Sequence, residues 1–259
     1  MYRFVASGRW VSLAVFVVLM VIACLLLSRW QFHRLHTREA YNSVVSQNIN
    51  RAPVTPDEVL AVGRPMTKAD LWRSVGVSGH YDASHVLLVR KRSLESQAGF
   101  YVMTPFRSES GVGIWLNRGW IRAAATAQAT PDVPPTPTGT VTVVARLRFP
   151  EPSKAYAPAD LPTGQIDRID IAQMSKRLGY TVYPAYGEVI TENPATVPAP
   201  RPIPAPETSN GPHLSYALQW ITFAIIAVVG FFILIRKEAE RLAEEEQAAA
   251  IDASTDART

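Results

Sequence analysis

Apolar and polar positions are distributed unevenly along this chain. Two long apolar runs lie near its ends. The first covers 11–27 (VSLAVFVVLMVIACLLL), after Trp10 and before Ser28-Arg29-Trp30. The second covers 217–235 (ALQWITFAIIAVVGFFILI) and stops at Arg236-Lys237. Neither holds a charge. At roughly 1.5 Å rise per residue, helices of this length span about 26–28 Å, close to the hydrocarbon thickness of a bilayer. In lipid only helices or closed barrels satisfy their backbone groups, and two isolated runs cannot build a barrel. The pattern therefore predicts transmembrane helices over 11–28 and 213–235. The alternative for the first run is a cleaved signal peptide. Its apolar stretch is long for one, and bulky, basic residues (SRWQFHRLHTREAY) follow in place of a small-residue cleavage site. The alternative for the second is a buried core helix, which its length and its Arg-Lys stop argue against.

Between the runs the period changes. Residues 28–47 lack Gly and Pro, so the first helix is expected to continue into water. Thr55-Pro-Asp-Glu58 reads as a helix start, with Thr55 as cap, Glu58 returning to it, and Gly63 as the stop. From Trp72 onward apolar residues alternate with polar ones. Strands are predicted over 73–82, 85–91, 99–106, 111–121, 140–149 and 180–192, with turn residues between them. Asp170 is placed to cap a short helix whose buried stripe is Ile171, Met174 and Leu178. The Pro-rich segment 193–212 reads as an extended tether. Together these predict an α+β membrane protein. A cytoplasmic N-terminus (1–10) precedes the first span (11–28). A β-rich, largely antiparallel domain or partial barrel follows over 29–192, then the linker (193–212), the second span (213–235) and a charged tail (236–259).

Composition adds little to this until its placement is considered. Of 259 residues 47% are hydrophobic, and the excess sits in the two spans. Arg3 and Arg9 precede span one, and Arg236, Lys237 and Arg241 follow span two, against Arg29, Arg34 and Arg38 on the other side. That bias puts both termini in the cytoplasm and the central domain outside the plasma membrane. The single cysteine, Cys24, lies in span one, so the domain has no disulfide frame. Net charge is +4, with no basic run interleaved with aromatics. The bilayer is thus an expected partner and nucleic acid is not.

Enzyme constellations are missing from the sequence: no Gly-x-Ser-x-Gly, no His-Glu-x-x-His and no phosphate loop occurs. His80 and His85 flank a predicted turn, where surface polarity is the simpler reading and a metal pair the sharper one. The span boundaries are more informative. His213, Tyr216, Trp220 and Phe223 fall near one helical face at the mouth of span two. An interfacial aromatic belt would explain them. A haem ligand at His213 would also explain them, with Trp30 and Arg34 at the same depth on span one and Arg34 available to a haem carboxylate.

Four blocks carry a family resemblance. They are Trp30-Gln31-Phe-His-Arg34, Val77-Ser-Gly79-His-Tyr-Asp82, the pair Gly99-Phe-Tyr-Val-Met-Thr-Pro105 and Leu116-Asn117-Arg118-Gly119-Trp120, and His213-Leu-Ser-Tyr216-Ala-Leu-Gln-Trp220. In order and in two-span layout, over about 10–237, they resemble bacterial, actinobacterial-like members of the surfeit locus protein 1 family. The resemblance implies a non-enzymatic assembly factor of the respiratory chain, acting as a chaperone for haem–copper cytochrome c oxidase. Its expected partners are oxidase subunits, the catalytic subunit first. It also implies transient binding of haem a through His213, and the reading of the span boundaries puts Tyr216, Trp220, Trp30 and Arg34 around it. Gln31, Asn117, Arg118 and Trp120 are expected to meet a partner, or else to serve the fold. A structural accessory subunit without a cofactor is the alternative function, and an extracytoplasmic enzyme a more remote one. Gly211-Pro212 before the closing block, the long tail and the Pro-rich segments depart from the family pattern.

Overall fold

A computed structural model describes residues 3–124, 131–152 and 161–256. The described chain divides into two compact units, 1–41 with 209–259, and 42–208.

The first unit is a helix pair. Helix α1 (Gly8–Ile49) and helix α4 (His213–Asp256) are each long and apolar enough to cross a membrane. With neither Pro nor a breaking Gly inside it, α1 runs 42 residues and leaves the apolar run behind, as its sequence predicts. The charged tail also stays helical, where i,i+3 and i,i+4 pairs of Arg236 with Glu240 and of Arg241 with Glu238 and Glu245 support it.

The pair is antiparallel. Trp10 and Phe231 lie 6.4 Å apart at one end, and Ser28 donates to the Ala217 carbonyl at 3.0 Å near the other. On α1 the facing residues are Trp10, Ala14, Val17, Val21, Cys24, Ser28, Gln31 and Leu35, buried or half-buried at alternating steps of three and four. That is the seam of a left-handed helix pair. On α4 the seam includes Ala217 and Ala224, both buried, whose small side chains let the backbones approach. Gly230 has nothing within 4 Å of where a Cβ would sit, so it is not such a contact. The remaining faces expose Phe16, Leu26, Ile226 and Phe232, a surface suited to lipid rather than water.

The second unit is β-rich. Helix α2 (Pro56–Val59) is followed by strands β1 (Ser74–Tyr81), β2 (Leu87–Leu94), β3 (Gln97–Ser108), β4 (Gly113–Arg122), β5 (Val141–Arg148) and β6 (Gln165–Ile166), then helix α3 (Ile171–Ser175) and strand β7 (Val182–Asn193). The sheet order is β1-β5-β7-β4-β3-β2-β6, and β1 also pairs with β3. The strands β1, β5, β7, β4 and β3 therefore close into a ring. Closure needs Gly79, where a Cβ would fall 2.1 Å from the Arg107 carbonyl oxygen. The ring's interior takes Val75, Val77, Phe106, Ile114, Leu116, Val143 and Leu147. Along β5 the odd-numbered residues point in and are fully buried, which is the alternation visible in the sequence. A second cluster, with Leu87, Met103, Trp115, Ile171 and Met174, lies under α3 on the outer face.

The sheet is largely antiparallel, as expected, with two parallel pairings, β4–β7 and β2–β6. The long excursion from β4 through β5, β6 and α3 returns β7 in the same direction as β4. The segment after β7 is also held more closely than a free tether. Trp120 and Arg201 exchange two backbone hydrogen bonds of 2.8 Å, and Asn42 donates to the Thr208 carbonyl at 3.1 Å. The Pro- and Ala-rich segment 123–139, which the sequence marks as a loop, lies partly outside the described residues.

Candidate cofactor site at the paired helix ends

The seam of the helix pair ends in a polar contact. His213 opens α4, and its imidazole Nδ1 lies 2.9 Å from Oε1 of Gln31 on α1. Gln31 is buried and His213 half-buried. Carbonyl oxygens only accept, so in this contact Nδ1 is the donor. Nε2 has no hydrogen-bond partner among the described residues. One turn deeper, the Ser28–Ala217 bond fixes the register that makes the two motifs meet.

The other expected cofactor residues spread around this contact. Trp220 follows His213 by two turns on the seam, half-buried and edge-on to Phe223 at 5.8 Å. Tyr216 turns outward, 48% exposed. Trp30 also faces outward, with the Arg34 guanidinium 5.9 Å above its ring. Thus Gln31 joins His213, while Trp30 and Arg34 form a pair of their own on the exposed side. The i,i+4 face that links Trp30 to Arg34 is one residue out of step with the seam. Nothing in the single sequence marks that offset. His33 and His36 are exposed, and no cluster of three or more metal-binding side chains occurs among the described residues.

In the β-rich unit, Asn117, Arg118 and Trp120 are 1%, 5% and 2% exposed. Asn117 Oδ1 accepts from the Gly119 backbone, and Trp120 Nε1 donates to the Arg92 carbonyl at 2.9 Å. Gly119 has φ +138°, and a Cβ there would sit 2.4 Å from the Arg201 carbonyl oxygen. All three side chains are thus buried and bonded within this unit. His80 and His85 stay apart in function: His85 bonds Asp82 at 2.8 Å, whereas His80 reaches Thr140. At Asp82 burial acts to raise the pKa, but the bonds from Ser84, His85 and Tyr180 together outweigh it and hold the carboxyl below its usual range.

The SURF1 family profile matches residues 18–225, from inside α1 to inside the first half of α4. The chain belongs to the SURF1 family. A SURF1-like protein of Mycobacterium bovis is 29% identical over 230 residues, which cover 88% of this chain and 83% of the relative. One from Mycobacterium tuberculosis matches equally, and one from Rickettsia bellii is 26% identical over 87% of this chain and 91% of its own. The match starts within the first apolar run and ends within the second, and it takes in the whole sheet. SURF1 proteins are known as cytochrome oxidase assembly factors.

Proposed function

We propose that this chain is a membrane-anchored assembly factor that holds haem a while it is inserted into the catalytic subunit of cytochrome c oxidase, with His213 as the iron ligand. The observation that supports this reading is the His213–Gln31 contact, which joins the motif closing the domain to the motif leaving span one. The residues fit the group. A neutral imidazole with Nδ1 held as a donor would offer Nε2 as the atom to hold a haem iron. When bound, haem supplies that iron position together with carboxylates that Arg34 can pair. A single protein donor suits a group that must be handed on rather than kept. The positive charges at 3, 9, 236, 237 and 241 support a topology with both termini in the cytoplasm and the β-rich unit outside the plasma membrane.

The test is to purify the protein from cells that make haem a. We expect a visible haem spectrum that disappears in His213→Ala, and lower haem a content and oxidase activity in a strain lacking the gene. A colourless protein in stable stoichiometric complex with the oxidase would refute the cofactor role. Unchanged oxidase in the deletion strain would refute the assembly role.

A further inference from the structure

We infer that Gln31 is a positioning residue for His213, fixing which imidazole nitrogen is free to bind a metal. This rests on the reading of His213 as a ligand, and adds to it a role for a second helix.

The argument begins with the imidazole's two nitrogens. A histidine in water has no fixed tautomer, and only the deprotonated nitrogen donates a lone pair. His213 sits at the first position of α4, where the helix constrains its backbone but not its proton. The only side chain hydrogen-bonded to its ring among the described residues is Gln31, through Oε1 at 2.9 Å. An amide oxygen accepts, so the contact selects the Nδ1–H form and aims Nε2 away from the seam. Gln31 is itself 9% exposed and faces α4 from within the seam, so it cannot swing into solvent without opening the pair.

The far edge of the ring is bordered by a glycine. Gly211, at φ +64°, is the residue whose side chain would lean on it. A Cβ there would lie 3.6 Å from Cδ2 and 3.7 Å from Nε2. Longer side chains would cover the open nitrogen. One edge of the imidazole is thus bonded, and the other makes no hydrogen bond among the described residues. Partners that bond the second nitrogen of a metal-binding histidine orient the ring and raise its basicity, and their loss commonly weakens metal affinity 10–100-fold.

Two measurements on the full-length protein in detergent test this separately from the ligand reading. In haem-free protein labelled with ¹⁵N-histidine, we expect His213 (assigned by its loss in His213→Ala) as the Nδ1–H tautomer. In Gln31→Leu that preference should disappear. A wild-type His213 protonated at Nε2 would overturn the inference even if haem binds. In the second measurement, ferric haem is titrated into each variant. We expect Gln31→Leu to bind about 10–100-fold more weakly. Gln31→Glu, which keeps an acceptor and adds charge, should bind well but with a lower reduction potential. Equal affinity and equal potential in all three would overturn the positioning role. Wild-type binding by His213→Ala would remove the ligand reading, and with it any role for Gln31 in metal binding, whatever tautomer the first measurement finds.

Discussion

The guanidinium of Arg118 lies 3.3 Å from the Glu192 carboxylate and 5.2 Å over the ring of Tyr81, with its side chain 1% exposed. The Tyr81 hydroxyl donates to the same carboxylate at 2.9 Å. Burial, followed by the Glu192 charge, pushes the Tyr81 phenol well above its ordinary pKa, so it remains a donor throughout the physiological range. Arg118 also reaches the Pro134 and Pro135 carbonyls and the Thr196 hydroxyl. One side chain of β4 thereby ties together the loop after β4, the end of β7 and the strap beyond it.

Removing Arg118 takes the cation from the half-buried Glu192 carboxylate, which keeps only the neutral donors Tyr81 and Thr196. Arg118→Ala should therefore lower the unfolding free energy by about 3–5 kcal/mol, read from urea denaturation in detergent micelles. Arg118→Lys should recover little of this, because a point charge cannot replace a planar fork that serves four acceptors. A lysine variant as stable as wild type would refute that division of labour.

Gly119→Ala tests the strap. The residue has φ +138° and faces the Arg201 carbonyl, so a methyl group is opposed by both backbone strain and a collision. A loss of about 1–3 kcal/mol is expected. Limited proteolysis should show faster cleavage near Arg201, because the Trp120–Arg201 backbone pair is what pins that segment. Unchanged cleavage would mean the strap is held elsewhere.

These contacts show where the sequence was readable. Period-two alternation marks β5 because one of its faces is buried in the ring, and the Thr55–Glu58 cap is present, with the Thr55 backbone donating to Glu58 Oε1 at 2.9 Å. Pairing was not readable. Parallel return of β7 to β4 depends on a long excursion, and the two-residue β6 has too few positions to show a period. The helix seam was hidden for a different reason. In a span both faces are apolar, one for lipid and one for the partner helix, so hydrophobicity carries no direction. Gln31 was visible as a polar residue beside Trp30, but only register could show that it faces His213.

Glu188 carries a pH dependence. It is 4% exposed, and burial raises its pKa above the ordinary carboxylate value despite Arg148 at 2.7 Å and the Arg146 charge. The folded state thus holds this proton more tightly than the unfolded chain. Its contribution to stability is complete below the ordinary glutamate value of 4.5 and is lost as pH rises through the higher folded value. Glu188→Gln removes the proton but keeps an acceptor for Arg148. Its stability should therefore gain on wild type as pH rises from about 4 to about 7. Denaturation midpoints for the two proteins that stay parallel across that range would contradict the assignment.

The helix pair makes the last prediction. Ala217 is fully buried, and its carbonyl accepts from Ser28 at 3.0 Å. Two helices packed this closely have no room for three more carbons, and in lipid there is no hydrophobic gain to offset the separation. Ala217→Leu should part the helix ends and with them the Gln31–His213 contact, while leaving the opposite end, where Trp10 meets Phe231, in place. Cysteine pairs report this directly once the buried Cys24 is replaced by serine. A short bis-maleimide should join Gln31→Cys to His213→Cys in an otherwise unaltered pair, and fail to do so when Ala217→Leu is added. The Trp10→Cys and Phe231→Cys pair should cross-link in both backgrounds. Efficient cross-linking at 31 and 213 with leucine at 217 would show that the contact does not depend on close packing of the seam.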